Sequence, residues 1–149
     1  MREIKSAGMI IFRRDINDKK LIWYLLLQDS HNHWGFPKGI IEKGETIIET
    51  ASREVKEEAG LDDIKVIDHF LETIEYYYYS NKGKIHKTVT FFLGETKSEE
   101  IKISYEHIGF KWVNYIEALN LLSFENARLI LKKAHKKINS MIDHFFNRL

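Results

Sequence analysis

Cysteine is absent from this chain of 149 residues, and proline occurs only once, as Pro37. Without a thiol the protein can form neither a disulfide nor a thiolate metal site, and a catalytic cysteine is excluded. A chain without cysteine suits a reducing compartment, and we therefore expect a cytoplasmic protein.

Long apolar runs and a charge excess are lacking as well. The longest strongly apolar run, residues 21–27, is too short to span a bilayer. Charges at positions 13–15 follow the N-terminal apolar stretch at once, so we expect neither a signal peptide nor a membrane partner. The formal net charge of +1 gives no general attraction for nucleic acid, and no DNA partner is expected.

Length and apolar patterning predict a single domain, residues 1–149, of the α/β class. Strands are predicted at residues 6–12, 21–28, 64–79 (as one strand or two), 88–94 and 108–113, with a loop at residues 30–38. Helices are predicted from Thr46 to Gly60 and at residues 114–122 and 125–145. Because strands mix with helices along the chain, we expect an α/β/α sandwich with a mixed central sheet.

The first predicted helix carries three glutamates within five residues, Glu54, Glu57 and Glu58. At 3.6 residues per turn they share an arc of about 100° on one helix face. Like charges at that spacing repel, and we expect no lysine or arginine on the arc to neutralise them. One interpretation is a solvated acidic face. The other is a bound divalent cation, Mg²⁺ or Mn²⁺. Such a cation would also offset the repulsion between the carboxylates and a polyphosphate substrate.

These glutamates belong to a longer pattern that resembles the Nudix box. The matching positions are Gly39, Glu45, Arg53, Glu54, Val55, Glu57, Glu58, Gly60 and Leu61. The resemblance implies the Nudix fold and a metal-dependent hydrolase that cleaves a nucleoside diphosphate linked to a further group. It implies that Glu54, Glu57 and Glu58 are catalytic and bind the metal. Arg53 is expected to orient these glutamates through a bidentate ion pair.

The loop before the box narrows the resemblance. Trp34, Pro37, Lys38 and Gly39 form a pattern similar to that of diadenosine tetraphosphate hydrolases within the Nudix family. Lys38 is the expected phosphate contact, and Gly39 allows the backbone to approach the substrate. Three later segments, at residues 86–93, 105–112 and 122–124, are also similar to that subfamily. They make Lys87 a candidate for substrate binding and Glu106 a candidate for a further metal ligand or the general base.

Four consecutive tyrosines, residues 76–79, follow the box. Side chains alternate along a strand, so Tyr76 and Tyr78 are predicted to share one face. Aromatic packing of the strand is one interpretation. The other is that this pair stacks on adenine, an interaction worth about 1–3 kcal/mol per base. Phe110 is the candidate for the opposite half of such a clamp.

The sequence therefore predicts hydrolysis of a small nucleotide, with diadenosine tetraphosphate cleaved to ATP and AMP by water attack on phosphorus. A nucleoside triphosphate or RNA 5′-end pyrophosphatase is the enzymatic alternative, since the box is shared across those activities. A non-catalytic nucleotide-binding Nudix module is a third interpretation. It is disfavoured because every glutamate of the acidic helix is present.

Overall fold

The computed structural model describes the backbone of residues 1–147 and the side chains of residues 1–142. The strands are β1 (Arg2–Arg14), β2 (Ile22–Asp29), β3 (Trp34–Gly35), β4 (Lys38–Ile40), β5 (Lys65–Val66), β6 (Glu72–Ser80), β7 (Gly83–Glu95) and β8 (His107–Val113). The helices are α1 (Ile47–Ala59), α2 (Tyr115–Leu121) and α3 (Glu125–Asn147). Nowhere in this described part is a helix both long and apolar enough to cross a bilayer.

The sheet is mixed and is organised around β1. This strand runs parallel to β7, from the pair Arg2 and Ile85 to the pair Phe12 and Glu95. It is antiparallel to β2 and, nearer its start, to β4. The sheet is completed by β6 and β5 on β7 and by β8 and β3 on β2, all antiparallel. The mixed sheet predicted from the sequence is confirmed.

Each face of the sheet carries its own apolar core. Met9 and Ile11 of β1 pack beneath α1, in a cluster that includes Val55. The alternate side chains, Ile10 and Phe12, pack on the other face, in the cluster that includes residues of α2 and α3. Because β1 is buried on both faces, its sequence is a continuous apolar run rather than an alternating one. The α/β sandwich follows from this layering.

The ends of α1 are set by its sequence. Thr46 accepts a hydrogen bond from the Glu49 N–H at 3.3 Å, and the Glu49 carboxylate accepts one from the Thr46 N–H at 2.9 Å. This reciprocal pair is the predicted capping box. Gly60 ends the helix in the left-handed conformation, with φ of 71°, a backbone geometry that favours glycine. The fixed ends of α1 thus determine the positions of its acidic residues around the helix axis.

Strand β1 begins at Arg2, four residues before the predicted start at residue 6, and two other strand predictions also differ from the structure. Residues 30–38 are not only loop, because β3 pairs with Leu27 and Gln28 of β2, and Lys38 at the start of β4 pairs with β1. Strand β7 begins at Gly83, five residues before the predicted start at residue 88, and continues the tight hairpin from β6. In both places the backbone conformation is set by pairing with another strand. The local preferences of the residues do not predict such pairing.

A half-buried histidine makes stability sensitive to acid. The Tyr24 hydroxyl shares a 2.7 Å hydrogen bond with His135 Nδ1, and the Tyr115 ring stacks on His135 with centroids 3.8 Å apart. Burial lowers the pKa of His135 below its usual value. The folded state therefore favours the neutral imidazole, and stability is lost as pH falls from about 6.5, where the unfolded chain begins to bind the proton.

We expect the melting temperature to fall more between pH 7 and pH 5 for the wild-type protein than for His135→Gln, as measured by circular dichroism. His31→Gln changes an exposed histidine and should keep the wild-type pH slope. An unchanged slope in His135→Gln would contradict this assignment.

Candidate active site

A cleft of about 620 Å³ opens where the loop before α1 meets the start of α3. Its walls combine acidic, basic and aromatic side chains: Glu58, Glu106, Lys38, Trp34, Tyr76 and Phe124. Four of the predicted site residues therefore lie in one place, namely Lys38, Glu58, Tyr76 and Glu106.

A larger depression, of about 1180 Å³, lies at the carboxyl ends of β1 and β7. Its arginines are engaged by carboxylates, since Arg13 pairs with Glu99 at 3.3 Å and Arg14 with Glu95 at 3.0 Å. None of the predicted catalytic residues lines it. Volume alone does not define a site, so we place the chemistry in the smaller cleft.

Arg53 is the hub of the acidic helix. Its Nε and Nη2 donate to the two carboxylate oxygens of Glu45 at 2.7 and 2.9 Å, in the bidentate geometry that fixes both groups. Its Nη1 donates to Glu54 at 2.8 Å and to Glu57 at 3.3 Å. These hydrogen bonds lower the pKa of Glu45 to about 2. The contacts of Arg53 with Glu54 and Glu57 agree with the orienting role expected of it, and its bidentate ion pair is with Glu45.

Glu58 stands apart from that network. It is 5% exposed, and its Oε2 accepts a hydrogen bond from the backbone N–H of Lys38 at 3.1 Å. Burial raises the pKa of Glu58 to about 8, and the nearby charge of Glu54 acts in the same direction. Burial also raises the pKa of Glu54. The surrounding protein therefore does not fully compensate the negative charge that these two carboxyl groups carry when they are ionised.

The donor chemistry of this pair fits a hard divalent cation. Carboxylate oxygens are the ligands that Mg²⁺ and Mn²⁺ prefer, and the uncompensated charge of Glu54 and Glu58 is what such a cation would neutralise. No three histidine, aspartate or glutamate side chains in the described residues already form a cation cluster. Glu57, the third predicted ligand, is turned toward Arg53 instead.

The loop before α1 is packed tightly against its surroundings. A Cβ atom added at Gly8 would lie 2.3 Å from the Pro37 carbonyl oxygen, which accepts a hydrogen bond from the Met9 N–H. A Cβ added at Gly39 would lie 2.0 Å from Oε1 of Glu54. These close approaches seat Lys38 beside Glu58, so the phosphate contact and the acidic helix predicted from the sequence adjoin each other.

Lys87 does not line the cleft itself but adds positive charge next to it. Its Nζ lies beside Lys38 and 5.9 Å from the centre of the Tyr76 ring. Burial and the neighbouring Lys38 lower the pKa of Lys87 to about 8. Two adjacent ammonium groups repel each other, and an anion between them relieves that repulsion. This pair is a suitable place for phosphate oxygens.

The predicted aromatic residues separate in the structure. Tyr76 is half-buried in the cleft wall, whereas Tyr78 lies further toward the hairpin tip and outside the lining. Phe110 pairs with Leu27 and so lies on the sheet face that carries α1, but it is exposed and is also outside the lining. Phe124, just before α3, lines the cleft instead and was missed. The available signal was an aromatic residue at the entry to a helix.

Glu106 is an exposed residue of the cleft wall that precedes β8. Its charge contributes to raising the pKa values of both Glu54 and Glu58, which places it within electrostatic reach of the acidic helix. Burial lowers the pKa of the adjacent His107. The two residues add one acidic group and one neutral imidazole to the same wall.

The family model for the NUDIX domain matches residues 3–134 of this chain. The chain therefore belongs to the Nudix family, and the enzyme class predicted from the sequence is confirmed.

Particular relatives refine that assignment. The chain is 35% identical over 147 residues to the asymmetrical bis(5′-nucleosyl)-tetraphosphatase of Sus scrofa, covering 93% of this chain and 97% of the relative. It is 30% identical over 124 residues to an RNA pyrophosphohydrolase of Sulfurovum, covering 78% and 76% respectively. The crystal structure of a C. elegans Ap4A hydrolase binary complex superposes with a TM-score of 0.80 at 27% identity, covering 92% of this chain and 98% of that one.

Proposed function

We propose that this protein hydrolyses dinucleoside tetraphosphates asymmetrically, converting diadenosine tetraphosphate and water to ATP and AMP with Mg²⁺ or Mn²⁺. The observation that carries this proposal is the composition of one cleft. A buried carboxyl group, Glu58, lies beside Lys38, and the aromatic side chains of Tyr76 and Phe124 line the same space. Hydrolytic, phosphate-binding and base-stacking groups thus occur together. The name of the Sus scrofa relative agrees with this substrate class.

We assign each residue of the site a role that matches its chemistry. Glu54 and Glu58 would hold the cation, with Glu57, now bonded to Arg53, as the third predicted ligand. When bound, the cation neutralises phosphate charge and acidifies water. A carboxylate accepts the proton of the attacking water, and Glu106 is the candidate on the open wall of the cleft. Arg53 positions the glutamates without touching the substrate.

Lys38 and Lys87 bind the phosphate oxygens that lie away from the acidic helix. Gly39 keeps the loop close enough to Glu54 for both groups to reach one polyphosphate. The aromatic rings of Tyr76 and Phe124 form what we term the base slot, since the faces of aromatic rings stack on any nucleobase.

A second candidate is removal of pyrophosphate from the 5′ end of RNA. It is favoured by the 30% identity to the Sulfurovum RNA pyrophosphohydrolase. The same acidic helix and lysines would serve a 5′-triphosphate. Against it, the formal net charge of +1 offers no extended attraction for an RNA chain.

The two candidates are separated by a substrate panel. Diadenosine tetraphosphate, ADP-ribose, oxidised dGTP and triphosphorylated RNA are each incubated with Mg²⁺, and the products are identified by ion-exchange chromatography. We expect diadenosine tetraphosphate to react fastest, to give ATP and AMP in equal amounts and to remain intact in excess EDTA. Two molecules of ADP as product, or a preference for RNA, would contradict the proposal.

The base slot makes a separate prediction. Tyr76→Ala and Phe124→Ala should each raise the Michaelis constant for diadenosine tetraphosphate about tenfold, with a smaller change in kcat, because each removes one stacking partner. Initial rates over a range of substrate concentrations measure this.

Tyr79→Ala is the matched control, since Tyr79 is 81% exposed near the hairpin tip. Tyr78→Ala and Phe110→Ala test the other two predicted stacking residues, and from their positions we expect little change. If the Michaelis constant is unaltered in Tyr76→Ala and Phe124→Ala, the slot does not bind the base.

A further inference from the structure

Asn126 occupies a distinctive position beside the base slot. It lies in the first turn of α3, two residues after Phe124, and lines the cleft together with Phe124 and Tyr76. It is half-buried. The neighbouring Glu125 has its carboxylate engaged by Arg128 at 2.9 and 3.1 Å. Asn126 is thus an uncharged side chain with hydrogen-bonding capacity at the place where the ring of a stacked base would end.

The orientation of the Asn126 amide is fixed by its partner. Its Nδ2 donates to the backbone carbonyl oxygen of Glu75 at 3.2 Å. A carbonyl oxygen only accepts hydrogen bonds, so the nitrogen of the amide, and not its oxygen, must face Glu75. The Oδ1 atom accepts no hydrogen bond from the described residues. The Oδ1 atom is therefore a hydrogen-bond acceptor whose orientation is fixed before a ligand binds.

We propose that Asn126 reads the base in this slot and selects adenine over guanine. Adenine carries an amino group at position 6, which donates to Oδ1, next to a ring nitrogen that accepts from an amide N–H. Guanine held in the same position presents the oxygen O6 instead, which accepts and so opposes Oδ1. The aromatic rings stack on either base, and the amide supplies the discrimination that stacking lacks.

This inference rests on the proposed function and deepens it. A merely structural role for Asn126 is the competing explanation, because its hydrogen bond joins the start of α3 to β6 next to Tyr76. Loss of a structural brace would weaken the binding of both bases equally. Loss of a base-reading group would instead change their ratio.

With the mixed dinucleotide adenosine–guanosine tetraphosphate as substrate, the preference of the slot for adenine or guanine can be measured from the products. Asymmetric hydrolysis gives either AMP with GTP or GMP with ATP, according to which nucleoside occupies the slot. We expect the wild-type protein to favour one product pair by about tenfold. In Asn126→Ala the two pairs should approach equal amounts. Both pairs come from the same folded molecules, so partial misfolding of the variant does not alter the measurement.

Asn139→Ala is the matched control, because Asn139 is an exposed residue of the same helix outside the cleft. It should keep the wild-type product ratio. Equal product pairs in the wild-type protein, or a bias that survives in Asn126→Ala, would overturn this inference while leaving the hydrolase proposal intact. Failure of the wild-type protein to cleave any dinucleoside tetraphosphate would instead remove the proposed function itself.

Discussion

Replacing Glu58 with glutamine is expected to lower kcat for diadenosine tetraphosphate by at least about a hundredfold, since it removes a carboxylate from the proposed cation site. Folding should survive. The amide oxygen of glutamine can still accept the Lys38 N–H, and its volume matches that of glutamate. Steady-state kinetics at saturating Mg²⁺, together with urea unfolding, measure the two effects. Turnover that survives the change would remove Glu58 from the site.

The stability of the metal-free protein gives an independent check on Glu58. The pKa of its carboxyl group is about 8 in the folded state, above that of an exposed glutamate. The folded chain therefore binds the proton more tightly than the unfolded chain does. The stabilisation that Glu58 contributes is greatest below about pH 4.5 and declines as pH rises toward 8. Glu58→Gln lacks this contribution. As pH rises over this range, the free energy of unfolding of the variant should therefore increase relative to that of the wild-type protein.

Glu100→Gln is the control for both measurements, because Glu100 is exposed and does not line the cleft. It should leave kcat and the pH dependence of stability unchanged. Equal losses of kcat in Glu58→Gln and Glu100→Gln would point to a general effect of charge and not to a cation site.

The acidic helix was predictable because its signals are local. The capping box of Thr46 and Glu49 and the left-handed Gly60 depend only on residues within α1 and its ends. Once those ends are fixed, a period of 3.6 residues determines which side chains share a face. The orienting role of Arg53 follows from the same short range. Its contacts with Glu54 and Glu57, one and four positions away, are of that short range too.

The aromatic part of the cleft was less predictable because it depends on contacts between remote segments. Tyr76 and Phe124 meet only after β6 and the start of α3 come together, 48 positions apart in the chain. The aromatic ring of Phe110 suits stacking, but the register of β8 against β2 places it opposite Leu27, on the sheet face that carries α1. Strand register decides the face of every side chain, and a sequence without its partner strand does not contain that information.

Gly39 offers a way to displace a proposed metal ligand without changing it. Its φ is not positive, so alanine is compatible with the backbone. The added Cβ would nevertheless lie within 2.6 Å of both carboxylate oxygens of Glu54. The Glu54 carboxylate ends a flexible side chain and can move aside, so the cost in stability should be about 1 kcal/mol. That movement breaks the 2.8 Å contact with Arg53.

We expect Gly39→Ala to lower kcat by at least about tenfold while the protein remains folded, because a displacement of about 1 Å in a catalytic group has effects of this order. Gly109→Ala is the matched control, since a Cβ there meets only Gln28 at an ordinary 3.5 Å. Gly8→Ala is the contrasting variant. Its Cβ collides with the Pro37 backbone, which cannot yield as a side chain does, so unfolding should become easier. Full activity in Gly39→Ala would show that the position of the Glu54 carboxylate does not limit catalysis.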